Sequence, residues 1–325
     1  DLPRGYEPVS GSNTYPFRIN INGSLDISNS AISTYRNSSK TWLYTTDSRW
    51  TNITDSTLDG VNIQISSTIS DVGFITGQNR VVLTNCNVIN RSRLKSKSHL
   101  FLVKGCLFND SNLDENYFMD TNTHIINNTF MEENSYIRFY KGLTYNPWWD
   151  YGSNIIEGNI FENSSGLWTK GENNNFIHIT NWSITENYFG NCSDGAIRWD
   201  HPKCNNVKIW RNTFYHNRKT DDNFTGVPQI DISCSAYLID TFNLSRKGIG
   251  NYWSDRTSPD KDNDAIVDDE YVISYGWGYN DNENLSDPCP VTNPWFDLER
   301  PFIRILEPSE NEIDGDYVKV IWEAY

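Results

Sequence analysis

The sequence predicts an all-β chain, a right-handed parallel β-helix, and three observations carry that expectation. A short pattern recurs along the chain with drift. The parity of its apolar positions changes within each copy, so each copy must bend. Asn, Ser, Thr and aromatic residues are abundant, which suits strands and turns and disfavours helix.

The pattern is clearest as Val207-Lys208-Ile209-Trp210-Arg211-Asn212-Thr213-Phe214. With the last large apolar residue as zero, apolar residues recur at minus five and minus seven, and a small or amide residue at minus two. Trp182, Ile184, Asn187 and Phe189 fit, as do Ile156, Asn159 and Phe161, and Ile125, Asn128 and Phe130. Phe101, Val103, Cys106 and Phe108 fit, and so do Val81, Leu83, Cys86 and Val88. Weaker copies are Ile53, Ser56 and Leu58, then Leu25, Ile27, Ser30 and Ile32. The zero positions of these eight copies step by 26, 30, 20, 22, 31, 28 and 25 residues. A period of this size with variable inserts indicates a solenoid. The bend is expected near minus three, at Gly105, Asn127 and Gly158, giving strand, bend, strand and loop in each coil. Stacking at about 4.8 Å turns equivalent positions into columns, and inward amides at minus two can bond the next coil's backbone.

Taken in order, residues 1–24 are polar and are expected to cap the open first coil, since an exposed sheet edge needs cover. The β-helix is assigned to 25–250, with 33–50 (Trp42, Tyr44, Trp50) as a lateral excursion. The long step from Phe130 to Phe161 holds Trp148 and Trp149 beside Asn146-Pro147. These rings either stack on sugars or pack the loop onto the helix wall. The step from Phe189 to Phe214 gathers Asp194, Arg198, Asp200, His201 and Lys203. A catalytic reading makes Asp200 or His201 a general base with Arg198 or Lys203 stabilising an oxyanion. The plain reading is a polar loop. Residues 251–300 form a C-terminal cap. Within it, Asp260, Asp262, Asp264 and Asp268 stand at positions 1, 3, 5 and 9 of a calcium loop, with the Ile266 carbonyl at 7. Ala265 replaces the usual Gly at position 6. Residues 301–325 read as two alternating strands, either the opening of an immunoglobulin-like module or strands that pair with another subunit.

The formal charge of −15 argues against nucleic acid and anionic membrane and for cation binding. No stretch approaches the length of an apolar membrane span. The chain starts at Asp1 rather than Met, so a removed leader is expected. Cys192 with Cys204, and Cys234 with Cys289, are expected disulfides of an exported protein. Cys86 and Cys106 share a column and are either a third bridge or two core thiols. Twelve N-x-[ST] acceptors occur: Asn22, Asn37, Asn52, Asn90, Asn109, Asn127, Asn163, Asn181, Asn191, Asn223, Asn243 and Asn284. No ladder asparagine is among them, which fits glycans on the outside.

Gly250-Asn-Tyr-Trp-Ser-Asp255, the acidic loop, Tyr271-Val-Ile273, Asp287-Pro-Cys-Pro290 and Asn293-Pro-Trp295 together resemble the C-terminal end of NosD-like parallel β-helix repeat proteins. The resemblance covers roughly residues 80–296. It implies a pectate-lyase-like solenoid of the type frequent in archaeal surface and S-layer-associated proteins. The copper-maturation role of the family's namesake does not carry over, because Met occurs only twice and no Met/His/Cys cluster exists. The leading expectation is a glycosylated, calcium-stabilised structural or adhesive cell-surface protein that self-assembles into a layer, sheath or filament. The alternative is a polysaccharide lyase or glycosidase, or a non-catalytic glycan-binding β-helix.

Overall fold

In the computed structural model the pattern winds into nine coils, each giving one strand to each of three parallel sheets. The structure describes residues 18–22, 24–33, 42–46, 50–66, 80–96, 100–115, 122–140, 153–170, 177–200, 202–217, 230–233, 242–243, 250–256, 258–263, 265–273, 285–295, 303–307 and 321–324. The first sheet runs from Arg18–Asn22 and Trp42–Thr46 to Ile197–Asp200 and Ile230–Ser233. The second runs from Leu25–Ser28 to Phe242–Asn243, and the third from Ala31–Ser33 to Tyr252–Trp253. The chain is a right-handed parallel β-helix.

The repeat encodes the second and third sheets and the bend between them. It does not announce the first sheet, which lies in what reads as loop. Trp42–Thr46 is therefore a first-sheet strand in register with Arg18–Asn22, not a lateral excursion, and Trp50 opens a second-sheet strand. The corner from second to third sheet takes two residues in eight of the nine coils. Its first residue is left-handed throughout: Asn29, Asp55, Asn85, Gly105, Asn127, Gly158, Glu186 and Arg211 have φ between 47° and 64°. One such residue between two extended runs switches which parity faces inward, at a cost of about 1–2 kcal/mol for a non-glycine.

The next residue of each corner points inward and forms a continuous column. Asn159 Oδ1 accepts the Asn128 backbone N–H and side-chain Nδ2–H, both at 2.9 Å, while Asn159 Nδ2 donates to Ile125 O at 2.8 Å. Asn187 and Asn212 repeat this arrangement. The corner amides of Asn128, Asn159 and Asn187 thus find their partners chiefly in the adjoining coils. In the early coils Ser30, Ser56, Cys86 and Cys106 fill the same positions with shorter side chains. A second column, at the corner from third to first sheet, has two bonded stretches, Ser92 to Ser111 to Ser135 and Ser164 to Cys192 to Asn217.

The bore is filled in step with these columns. Phe108, Phe130, Phe161, Phe189, Phe214 and Trp253 lie one above another, with neighbouring centroids 4.4–5.3 Å apart and planes within 15°. Each is fully buried. Beyond the area they bury, such pairs contribute about 0.5–1.5 kcal/mol each. The aliphatic rows Ile63, Leu94, Leu113, Ile137, Leu167 and Ile197 close the first-sheet side.

Three of the six cysteines belong to the corner columns. Cys86 and Cys106 occupy adjacent rungs as free buried thiols, because both sulfurs are engaged by the column. Cys86 Sγ donates towards Ile53 O and Thr84 O at 3.3 and 3.2 Å, and Cys106 Sγ accepts the Cys86 N–H at 3.4 Å. The hydrogen bond with Cys86, reinforced by burial, holds the Cys106 thiol well above its ordinary range. Cys192 is also free and belongs to the second corner column. Cys204 lies in a second-sheet strand beside Ile179 instead, so the two do not meet as a bridge. Cys289 is half-buried, with its N–H donated to Asp287, and its expected partner Cys234 lies outside the described residues.

Two predictions follow from the columns. Asn187→Ala strands the Asn159 N–H and Nδ2–H and the Ile156 carbonyl, so stability should fall by roughly 2–4 kcal/mol. Urea unfolding of the variant checks it, with a lowered midpoint and an unchanged slope. Burial pushes the Cys192 thiol up to about 12, against the hydrogen bond to Ser164. A raised folded value means the contribution is whole below the ordinary thiol value and is lost as pH rises. Stability should therefore decline from about pH 9 upwards, and less steeply in Cys192→Ser; parallel slopes for the two proteins would contradict this.

Candidate functional site

The helix ends at a built closure, and the motif Gly250–Asp255 is its framework. Gly250 admits the returning chain: a Cβ there would stand 1.6 Å from Cys289 O. Asn251 takes the next place in the amide column, with Oδ1 accepting from Asn212 and Nδ2 donating to Ile209 O. Trp253 stacks on Phe214, and Tyr271 stacks on Trp253 at 4.2 Å. Ser254 Oγ accepts the His216 N–H, and Asp255 accepts the Tyr271 hydroxyl.

The column terminates on a carboxylate. Asp287 is fully buried. Its Oδ2 accepts the Asn251 N–H, Asn251 Nδ2–H and Trp253 Nε1–H at 3.2, 3.1 and 2.9 Å, and its Oδ1 accepts the Cys289 N–H at 3.2 Å. The backbone of a tenth rung follows, with Val291 paired parallel to Tyr252. Pro290 stands where that rung would carry its column residue. Proline has no N–H to donate onwards, so the column stops. Neither Asn251 nor Asp287 belongs to the column read from sequence. An insert splits the ninth copy between Phe242–Asn243 and Tyr252–Trp253, and Asp287 reaches the column from three residues before Pro290.

Against this closure packs the acidic loop. Asp260 Oδ2 accepts the Ala265 N–H at 3.0 Å, and Asp268 Oδ2 accepts the Lys261 N–H at 2.6 Å. Asn263 and Ala265 are left-handed, with φ of 60° and 69°. Ala265 thus adopts the conformation that usually calls for Gly at this loop position. The Ala265 carbonyl accepts Thr292 N–H, and Val267 N–H donates to Pro290 O, which fastens Ile266 beside Val291. Asp262 is exposed, and Asp264 lies outside the described residues. Two of the loop's carboxylates are thus turned back onto its own amides. Among the described residues no group of three or more His, Cys, Asp or Glu is already gathered as a metal site.

The other candidates are placed as follows. Asp194 is half-buried at the third-to-first corner, and the Arg198 guanidinium rests 5.4 Å from the Trp168 ring centroid. Asp200 ends the same strand as Arg198, its side chain outside the described set, and His201, Trp148 and Trp149 lie outside the described residues altogether. Of the sequon asparagines, Asn90, Asn163 and Asn191 are exposed and left-handed on the second corner. Asn90 Nδ2 donates to Asp59 and Asn191 Nδ2 to Glu162, each one coil back. Asn52, Asn109, Asn127 and Asn181 are half-buried, and the side chains of Asn22, Asn37, Asn223, Asn243 and Asn284 lie outside the described set. No described helix is long and apolar enough to cross a membrane.

Asp287→Ala leaves three buried N–H groups and one half-buried one without an acceptor. It should lower stability by more than about 3 kcal/mol, and Asp255→Ala, at an exposed carboxylate, by under about 1 kcal/mol, in matched denaturant titrations. No protein-family model, curated protein or solved structure matches the chain.

Proposed function

We propose that this chain is a structural or adhesive element of an extracellular surface, a subunit of a layer, sheath or filament built on NosD-like repeats. The observation that carries the reading is the unbroken column from Ser30 to Asp287 with its parallel aromatic stack. A bonded column at one corner and a packed bore make a stiff rod, and its closure spends the most elaborate chemistry of the described residues on ending the rod cleanly. Glycans on the exposed corner asparagines would coat one edge of that rod. Calcium in the 260–268 loop would brace the closure, since the loop is tied to Val291 and Thr292 of the last rung.

Electron microscopy of cell-derived material, with and without chelator, tests the proposal together with thermal melting. Ordered sheets or filaments should dissolve on chelation, and the melting temperature should fall. Asp260→Asn with Asp268→Asn should lower it equally and abolish its response to calcium. Isolated particles under both conditions would refute the structural role. A melt indifferent to chelator would refute the cation.

A further inference from the structure

The outer face of the second sheet carries one row whose two halves complement each other. Strand register aligns Asp26, Asn52, Val82, Leu102, His124, Ile155, Ser183 and Lys208, one from each of the first eight coils. Asp26 is exposed and the other seven are half-buried, whereas the residues flanking those seven in each strand are buried. The row is acidic at the first coil, basic at the eighth and, His124 apart, apolar from the third to the sixth. Its midpoint falls between Leu102 and His124. Reversed end for end about that point, the row sets Asp26 against Lys208, Asn52 against Ser183, Val82 against Ile155 and Leu102 against His124.

The end charges are available for such a match. The Asp26 carboxylate accepts the Asn52 Nδ2–H at 3.3 Å, and the Lys208 ammonium rests 5.5 Å from the Trp210 ring centroid. Neither is in an ion pair among the described residues. The neighbouring outer row carries Lys104 in the fourth coil and Glu157 in the sixth, on either side of Ile126. The same reversal brings Lys104 within one strand of Glu157 of a second copy. Seven strand spacings make the row about 34 Å long, and five residues make the face about 17 Å wide. That is roughly 600 Å² in plan, at the lower end of what each partner buries in a specific contact. Rods packed parallel about a twofold along their length would instead set Asp26 on Asp26 and Lys208 on Lys208, like charges at both ends.

We propose that the outer face of the second sheet is a contact between two copies of this chain, packed face to face with the rods antiparallel about a twofold axis between Leu102 and His124. The apolar centre supplies the burial, and the charged ends set the direction. The pairing deepens the assembly reading above and rests on it for its role, not for its geometry.

Sedimentation equilibrium of the full chain over a concentration series, in chelator so that the calcium loop plays no part, tests the pairing. Wild-type protein should show a reversible monomer–dimer equilibrium. Leu102→Asp sets a carboxylate at the centre of the row and should weaken the dimer about tenfold or more, with an unchanged melting temperature. Lys208→Glu leaves the centre untouched and should weaken it about threefold or more. Asp26→Lys added to Lys208→Glu should restore the dimer, since the end charges are then exchanged. A wild type that is monomeric at every concentration, an undiminished Leu102→Asp dimer, or a charge swap that restores nothing would each overturn the pairing. A Lys208→Glu dimer as tight as wild type would do so too, because parallel rods already set like charge on like. The assembly reading fails separately. Cellular layers that survive Leu102→Asp sink the pairing alone, and a solution dimer without cellular layers sinks the assembly reading alone.

Discussion

The hydrogen bond from each corner N–H to the side-chain oxygen or sulfur of the next coil is what the rest of the structure depends on. It fixes register at one edge of the coil. Once register is fixed, the residue two places on is bound to sit over its counterpart, and the phenylalanine stack follows. The same bond requires a left-handed residue just before it, so the corner sets both parity and spacing. A parallel sheet buried on its inner face and held at a corner in this way has little freedom to slip.

Much of this was legible in the sequence, and the part that was not has a physical reason. The column and the bore are periodic in residue type, so Asn128, Asn159, Asn187 and Phe130, Phe161, Phe189 announce themselves. The first sheet does not, because its outward residues are charged or aromatic and the segments leading out of it vary in length. Arg138 and Trp168 consequently read as loop residues, although they lie across from each other on adjacent strands. The second corner column escaped notice because Ser dominates it, and Ser is common everywhere in this chain. Cys192 misled for the opposite reason: it was expected in a bridge, whereas it and the open cases Cys86 and Cys106 are column residues that happen to carry sulfur.

The site evidence was similarly divided. The acidic spacing from Asp260 to Asp268 could be read directly, and the structure adds the folding-back of two carboxylates onto loop amides. The buried Asp287 could not be read, since only the fold brings it to Asn251, thirty-six residues away in sequence. Spacing alone gave no reason for the Gly250–Asp255 motif, and the geometry supplies one for Gly250, Asn251, Trp253, Ser254 and Asp255.

Connection length varies at two of the three corners. From first to second sheet it ranges from one residue, between Asp200 and Pro202, to thirteen, between Tyr140 and Asn154, and from third to first sheet from two to fourteen, the longest between Tyr215 and Ile230. Each joins strands held by neighbouring rungs, so lengthening one adds only slowly growing loop entropy, about 0.6 kcal/mol for each doubling. Those two corners are evolutionary seams. Segments can be acquired or exchanged there one coil at a time, while the bonded corner between the second and third sheets keeps the count of rungs and the alignment of everything built upon them.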